Sequence, residues 1–227
     1  MNVHRLNLPV GRDQIDAMKV GDIVYLSGRI FTLRDRSHRR IEEYAAQGRE
    51  LPFDLRGCAA LHCGPIIKTL GRNSWQAVDV GATSSSRFSP FIPPLIQQYG
   101  IRIIIGKGNL FKGAMDALKE KGAAFLLAIG GCAALYGSQV KKVNANYWAE
   151  FGMADSVWEF EMVDFGPLCV GIDSRGGNHN RQLREVWLKE NLEAVYADLG
   201  INPETEYTWW PQVPPGTKRA TEYSTKL

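Results

Sequence analysis

None of the four cysteines in this 227-residue chain forms a CxxC pair, so the usual spacing of a zinc or redox centre is missing. Cys58, Cys63, Cys132 and Cys169 each lie in or beside an apolar run. That placement predicts buried free thiols in a reducing compartment and no metal bound by this chain alone. Also missing is any block of five or more like charges. The 27 basic and 24 acidic residues leave a net charge of only +3, which argues against nucleic acid as a partner. No apolar stretch reaches the roughly 18 residues of a membrane span. The segment from Met1 to Arg12 lacks the apolar centre of a secretion signal, so a cytoplasmic protein that meets no membrane is expected. No internal repeat is present, and 44% hydrophobic against 22% charged residues excludes a disordered chain.

What is present is an α/β pattern. Asp22 to Leu33 is apolar and β-branched with a Ser-Gly break, which predicts two strands or one bent strand. Asp35 then stands as a capping residue before a helix carrying Ile41, Tyr44 and Ala45. A short strand from Cys58 to Cys63 is halted by Gly64-Pro65, and a further strand is predicted from Trp75 to Val80. A proline-punctuated helix follows from about Pro90 to Tyr99. Strands over Ile101 to Ile105 and Ala123 to Ile129 flank a helix from Leu110 to Lys121, and a short helix is predicted from Ala133 to Gln139. Both strands are apolar without alternation, as in a sheet covered on both faces, and the linking helix predicts that they run parallel. Val157 to Val163 alternates apolar and polar, and Leu168 to Ile172 follows Gly166-Pro167, so two strands in a more exposed part of the sheet are expected. An amphipathic helix is expected over Arg181 to Leu199, then a Pro-rich, extended stretch from Trp209 to Leu227. One domain over residues 1–180 and a tail over 181–227 result.

Two segments concentrate the chemistry. Gly81-Ala-Thr-Ser-Ser-Ser-Arg87 offers hydroxyls and a guanidinium, and Gly106-Lys-Gly-Asn109 offers an ammonium between glycines after a buried strand. Thr83, Ser84, Ser85 and Ser86 could cap the following helix, or could join Arg87 in holding a small anion at its N-terminus. Lys107 could be a surface lysine, or could point across the carboxyl edge of the sheet where ligands of open α/β folds bind. The leading glycine and the Lys-Ser/Thr order of a phosphate loop are absent, which weakens a nucleotide-binding reading. Arg34-Asp-Arg-Ser-His38 sets arginines and a histidine about a strand-to-helix junction. His38 could carry a proton or lie on a solvated helix face, and His62 reads as a satisfied core histidine.

Taken in order, Val20-Gly-Asp-Ile-Val-Tyr-Leu-Ser-Gly, Arg34-Asp-Arg-Ser-His-Arg-Arg, His62-Cys-Gly-Pro, Gly81-Ala-Thr-Ser-Ser-Ser-Arg, Gly106-Lys-Gly-Asn and Ala128-Ile-Gly-Gly-Cys-Ala-Ala resemble one family. It is that of the β subunits of class I iron–sulfur fumarases and L(+)-tartrate dehydratases, and the likeness covers roughly residues 10 to 180. It implies an α/β swivelling β/β/α-type domain with a mixed, partly parallel sheet, like the fumarase C-terminal domain. It also implies a hydro-lyase that eliminates water reversibly from a 2-hydroxy dicarboxylate, malate/fumarate or tartrate/oxaloacetate. The [4Fe–4S] cluster would be held by a separate α subunit in an α2β2 assembly and would act as a Lewis acid on the substrate hydroxyl.

Matched to the motifs, Arg34 and Arg87 fall on substrate-binding arginines and Lys107 on an active-site lysine. Thr83 falls on the threonine proposed as base, with Ser84 beside it binding substrate and assisting. The fumarase-like pattern has Gly before the arginine and Met-Asp after it, where this chain has Ser86, Phe88 and Ser89. A rival expectation is a stand-alone protein binding small dicarboxylates. The aromatic residues Trp187, Tyr196, Trp209 and Trp210 suggest a tail packed on a partner subunit.

Overall fold

The computed structural model describes residues 1–201, and the chain divides into two compact units, Met1–His179 and Asn180–Leu227. In chain order the first unit contains β1 (Val3–Asn7), α1 (Arg12–Ala17), β2 (Ile23–Leu33), α2 (Asp35–Ala46) and β3 (Ala59–His62). The hairpin β4 (Ile66–Gly71) and β5 (Ser74–Asp79) comes next, then a 3-10 turn (Ser86–Phe91) running into α3 (Ile92–Gln97). β6 (Ile103–Gly106), α4 (Lys112–Lys121), β7 (Ala124–Leu127), α5 (Ala133–Ser138), β8 (Val140–Tyr147) and β9 (Val157–Ile172) complete it. The final helix α6 (His179–Asp198) lies almost wholly in the second unit, where Leu183, Val186, Trp187 and Leu192 are exposed. Trp209, Trp210 and the Pro-rich stretch fall outside the described residues.

β2 organises the seven-stranded mixed sheet. One of its edges pairs antiparallel with β9; the other receives β1 at residues 23–27 and β3 at residues 30–33, both parallel. β3, β6 and β7 continue in parallel, β7 pairs antiparallel with β9, and β9 returns to β2, so the pairings close on themselves. Gly28 has φ +109 and coincides with a register shift between Leu26 and Gly28, which makes β2 one bent strand.

Alternation along the parallel strands divides the core. Ala59, Leu61, Ile103, Ile105 and Leu126 point into one cluster with Phe160, Met162 and Phe165 of β9. Ala60, Ile104 and Phe125 point the other way, against Ile41 of α2, Leu95 of α3, and Ala114 and Leu118 of α4. Both faces are buried, which explains the absence of polar alternation in these strands. Each large side chain removed from water contributes about 1.5–3 kcal/mol. α4 stops at Gly122, whose φ of +65 is the left-handed geometry that terminates a helix.

Three expectations are corrected. β9 is a single 16-residue strand passing through Gly166-Pro167, and it lies inside the sheet between β2, β7 and β8. Its polar position Glu159 is buried because Tyr147 Oη and Asn144 Nδ2 donate hydrogen bonds to it at 3.0 and 3.4 Å. Asp35 does not cap α2: Arg34 is the capping position, and its N–H donates to Ser37 Oγ at 2.8 Å. The Ser-rich run caps no α-helix, since it leads into a 3-10 turn without a side-chain cap. β1, α1, β4 and β8 are elements that the sequence pattern did not announce. Among the described residues no helix is long and apolar enough to cross a membrane.

Candidate active site

The carboxyl ends of the parallel strands meet at one edge. β2 delivers Arg34, β3 delivers Cys63 and Gly64, and β6 delivers Lys107, because Leu33 is in register with His62 and Leu61 with Ile105. This is the edge where α/β sheets place ligands. The hydroxyl loop lies across it, held by backbone pairing: Thr83 N–H donates to the His62 carbonyl at 2.8 Å and Ser85 N–H to the Lys107 carbonyl at 3.0 Å. Cys63 with Ala82 and Ser84 with Lys107 form isolated β-bridges, so the two loops read separately in the sequence are neighbours in space.

Arg87 leads the constellation. Its Nε and Nη2 donate to Asp35 Oδ1 and Oδ2 at 3.2 Å each, a two-pronged ion pair, while Nη1 is 3.4 Å from both Thr83 Oγ1 and the Ser84 carbonyl. Its guanidinium lies 4.3 Å above the centre of the Phe88 ring. Arg34 reaches the same carboxylate only at 3.8 Å, and its buried Nε has no hydrogen-bond partner. It lies across Gly64, where a Cβ would come within 2.6 Å of Nη1, so the glycine makes room for the guanidinium. Burial works to raise the Asp35 carboxyl, but the hydrogen bonds and charge of Arg87 outweigh it and hold the group below its ordinary value. Lys107 is exposed at the same edge. Two arginines thus share one carboxylate, and Lys107 adds a third cation at the same edge, a setting that suits an anionic ligand.

Behind the loop is a sealed aromatic layer. His38 and His62 are fully buried, with ring centres 5.1 Å apart, and both pack on Phe88. Neither ring nitrogen of His38 has a partner, and burial drives its pKa down to about 3; nearby Asp35 opposes this and Arg87 adds to it. The solvated helix-face reading of His38 is therefore overturned by its burial. His62 bonds through Nδ1 to Ser85 Oγ at 2.8 Å, while its Nε2 is unpartnered, so the core histidine is only half satisfied. Burial pushes the His62 pKa well below the histidine range.

The structure brings Arg34, Arg87, Thr83, Ser84 and Lys107 to one edge and sets His38 beneath it. Sequence reasoning missed Asp35 as the partner of Arg87, and Ser85 as the partner of His62. Gly106 carried a usable signal: a Cβ there would fall 1.8 Å from Ser85 Oγ, so the glycine preceding Lys107 marks a close approach. Among the described residues no three potential metal-ligating side chains gather. Burial raises the thiols of Cys58, Cys63 and Cys169, Cys63 to about 12, which disfavours the thiolate that an iron–sulfur cluster requires. The cysteines of this chain do not fit such a cluster.

Residues 1–183 match the family model described as "Fumarase C-terminus". A Methanocaldococcus jannaschii protein named "Putative L(+)-tartrate dehydratase subunit beta" is 40% identical over 182 residues, covering 79% of this chain and 93% of its own. The L(+)-tartrate dehydratase subunit beta of Escherichia coli K12 is 36% identical over 198 residues, 84% of this chain and 96% of that protein. A Geobacillus stearothermophilus protein named "Putative fumarate hydratase class I" is 34% identical over 190 residues, 84% of this chain but 35% of the longer protein.

Proposed function

This chain belongs to the Fumarase C-terminus family, and from that membership we propose that it is the β subunit of a hydro-lyase that removes water from a 2-hydroxy dicarboxylate. The observation that carries the reading is the gathering of Arg34 and Arg87 on one carboxylate, at the same sheet edge as Lys107, Thr83 and Ser84.

In this reading Arg34 and Arg87 grip the two carboxylates of the substrate. Arg87 enters with its guanidinium already oriented by Asp35, which leaves its Nη1 edge toward Thr83. Thr83 takes the carbon-bound proton with Ser84 beside it, and Lys107 stabilises the alkoxide that a hydroxyl base requires. His38 is sealed and neutral, so it serves as packing rather than as a carrier. The iron–sulfur cluster belongs to an α partner in an α2β2 assembly in the cytoplasm. Residues 1–180 act as the dehydratase domain, and the exposed apolar side chains of α6 pack on that partner.

The chain alone should be colourless and inactive, and should gain dehydratase activity after anaerobic reconstitution with an α subunit. A panel of malate, fumarate, both tartrates and mesaconate then identifies the diacid. Turnover by the metal-free chain alone would overturn the proposal, and tight dicarboxylate binding that an α subunit leaves unchanged would favour a stand-alone binding protein.

A further inference from the structure

We infer that His62 is a positioning residue that fixes the Thr83-Ser84 dipeptide from both sides through its own carbonyl and its ring; this rests on the dehydratase reading above. The His62 carbonyl accepts the Thr83 N–H at 2.8 Å, and Nδ1 of the same residue meets Ser85 Oγ at 2.8 Å. One residue of β3 therefore holds the positions on either side of Ser84, and the Lys107 carbonyl holds Ser85 from β6. Ser85 is fully buried, and the approach of its Oγ to Gly106 leaves no room for a Cβ, so the loop has one seat.

The ring chemistry agrees. His62 is neutral, and its buried Nε2 faces no partner. A bare acceptor costs less to bury than an orphaned N–H, so the proton sits on Nδ1 and is donated to Ser85 Oγ. Because that ring does not titrate in the working pH range, its role is geometric. Displacing Thr83 by a fraction of an ångström should slow proton transfer more than it loosens Arg87, whose two shortest contacts, at 3.2 Å each, are to Asp35.

In the reconstituted complex, His62→Leu and Ser85→Ala should lower kcat by about tenfold or more while KM stays within about twofold. His62→Asn, whose amide replaces Nδ1, should recover most of the loss. Equal losses in His62→Asn and His62→Leu, an unchanged kcat in both, or a rise in KM alone would overturn the inference. Amide hydrogen exchange of the chain by itself separates this test from the functional reading. Faster exchange at Thr83 and Ser85 in His62→Leu, but not in His62→Asn, supports the clamp even if the complex turns over no diacid. Equal exchange in the two variants defeats it.

Discussion

At the start of β2, Asp22 is buried and accepts hydrogen bonds from the N–H groups of Asn2 at 2.7 Å and Lys19 at 3.1 Å, with the His4 ring at 3.0 Å. Asp173, which follows β9 at the same end of the sheet, accepts from the N–H groups of Val20, Arg175 and Gly177. At the far end of β2 the balance is reversed. Arg34 has a buried Nε without a partner, Arg87 shares one carboxylate with it, and Lys107 is exposed beside them. A polar group whose hydrogen bonds are complete ties the chain together. Cations with incompletely paired donors at a sheet edge favour an anion.

Arg87→Lys should break the comparison most sharply. A lysine cannot form the two-pronged contact, so turnover of the reconstituted complex should fall about 100-fold. Stability should change by less than about 1 kcal/mol, because the Arg87–Asp35 pair is half exposed. An unchanged rate would remove Arg87 from the site. The mirror experiment is Asp22→Asn, read by urea unfolding. It turns an amide NH2 toward buried N–H donors and should cost about 2 kcal/mol, with turnover per folded molecule unchanged. A loss of turnover without loss of stability would show that the two ends are not separate in role.

A smaller effect, set by pH, sharpens the contrast. Burial alone would raise Asp22, yet its hydrogen bonds from Asn2, His4 and Lys19 take it down to about 2, so its stabilisation is complete above about pH 4 and is lost as pH falls from there toward 2. The buried histidines lose stability in the same direction, but at milder pH. Their folded pKa values lie below the unfolded value near 6.5, to about 3 for His38, despite the opposing charge of Asp35. As pH falls below about 6.5, the unfolded chain takes up protons that the folded chain refuses, and stability drops by about 1.4 kcal/mol per pH unit per histidine. Urea midpoints at pH 7.5, 6 and 5 measure the slope, and His38→Phe should remove one histidine's share. A flat profile would mean that these rings are not sealed.

Much of this molecule is legible from local sequence. The apolar runs before Gly106 and after Lys121 announce buried parallel strands, and the helix between them requires that they run parallel. The order of the glycine, hydroxyl and basic motifs is also a property of sequence alone, and it points to the family before any coordinate is known. The exposed position of β9 was misread because Glu159 is a polar residue buried with partners from β8, 12 and 15 positions earlier. The pairing of Asp35 with Arg87 spans 52 residues and that of His62 with Ser85 spans 23. Periodicity and residue type report which face a side chain needs, because that depends on a few neighbours along the chain. Which carboxylate orients Arg87, and which ring seats the Thr83 loop, depend on closure of the strands around β2, and only the tertiary structure decided them.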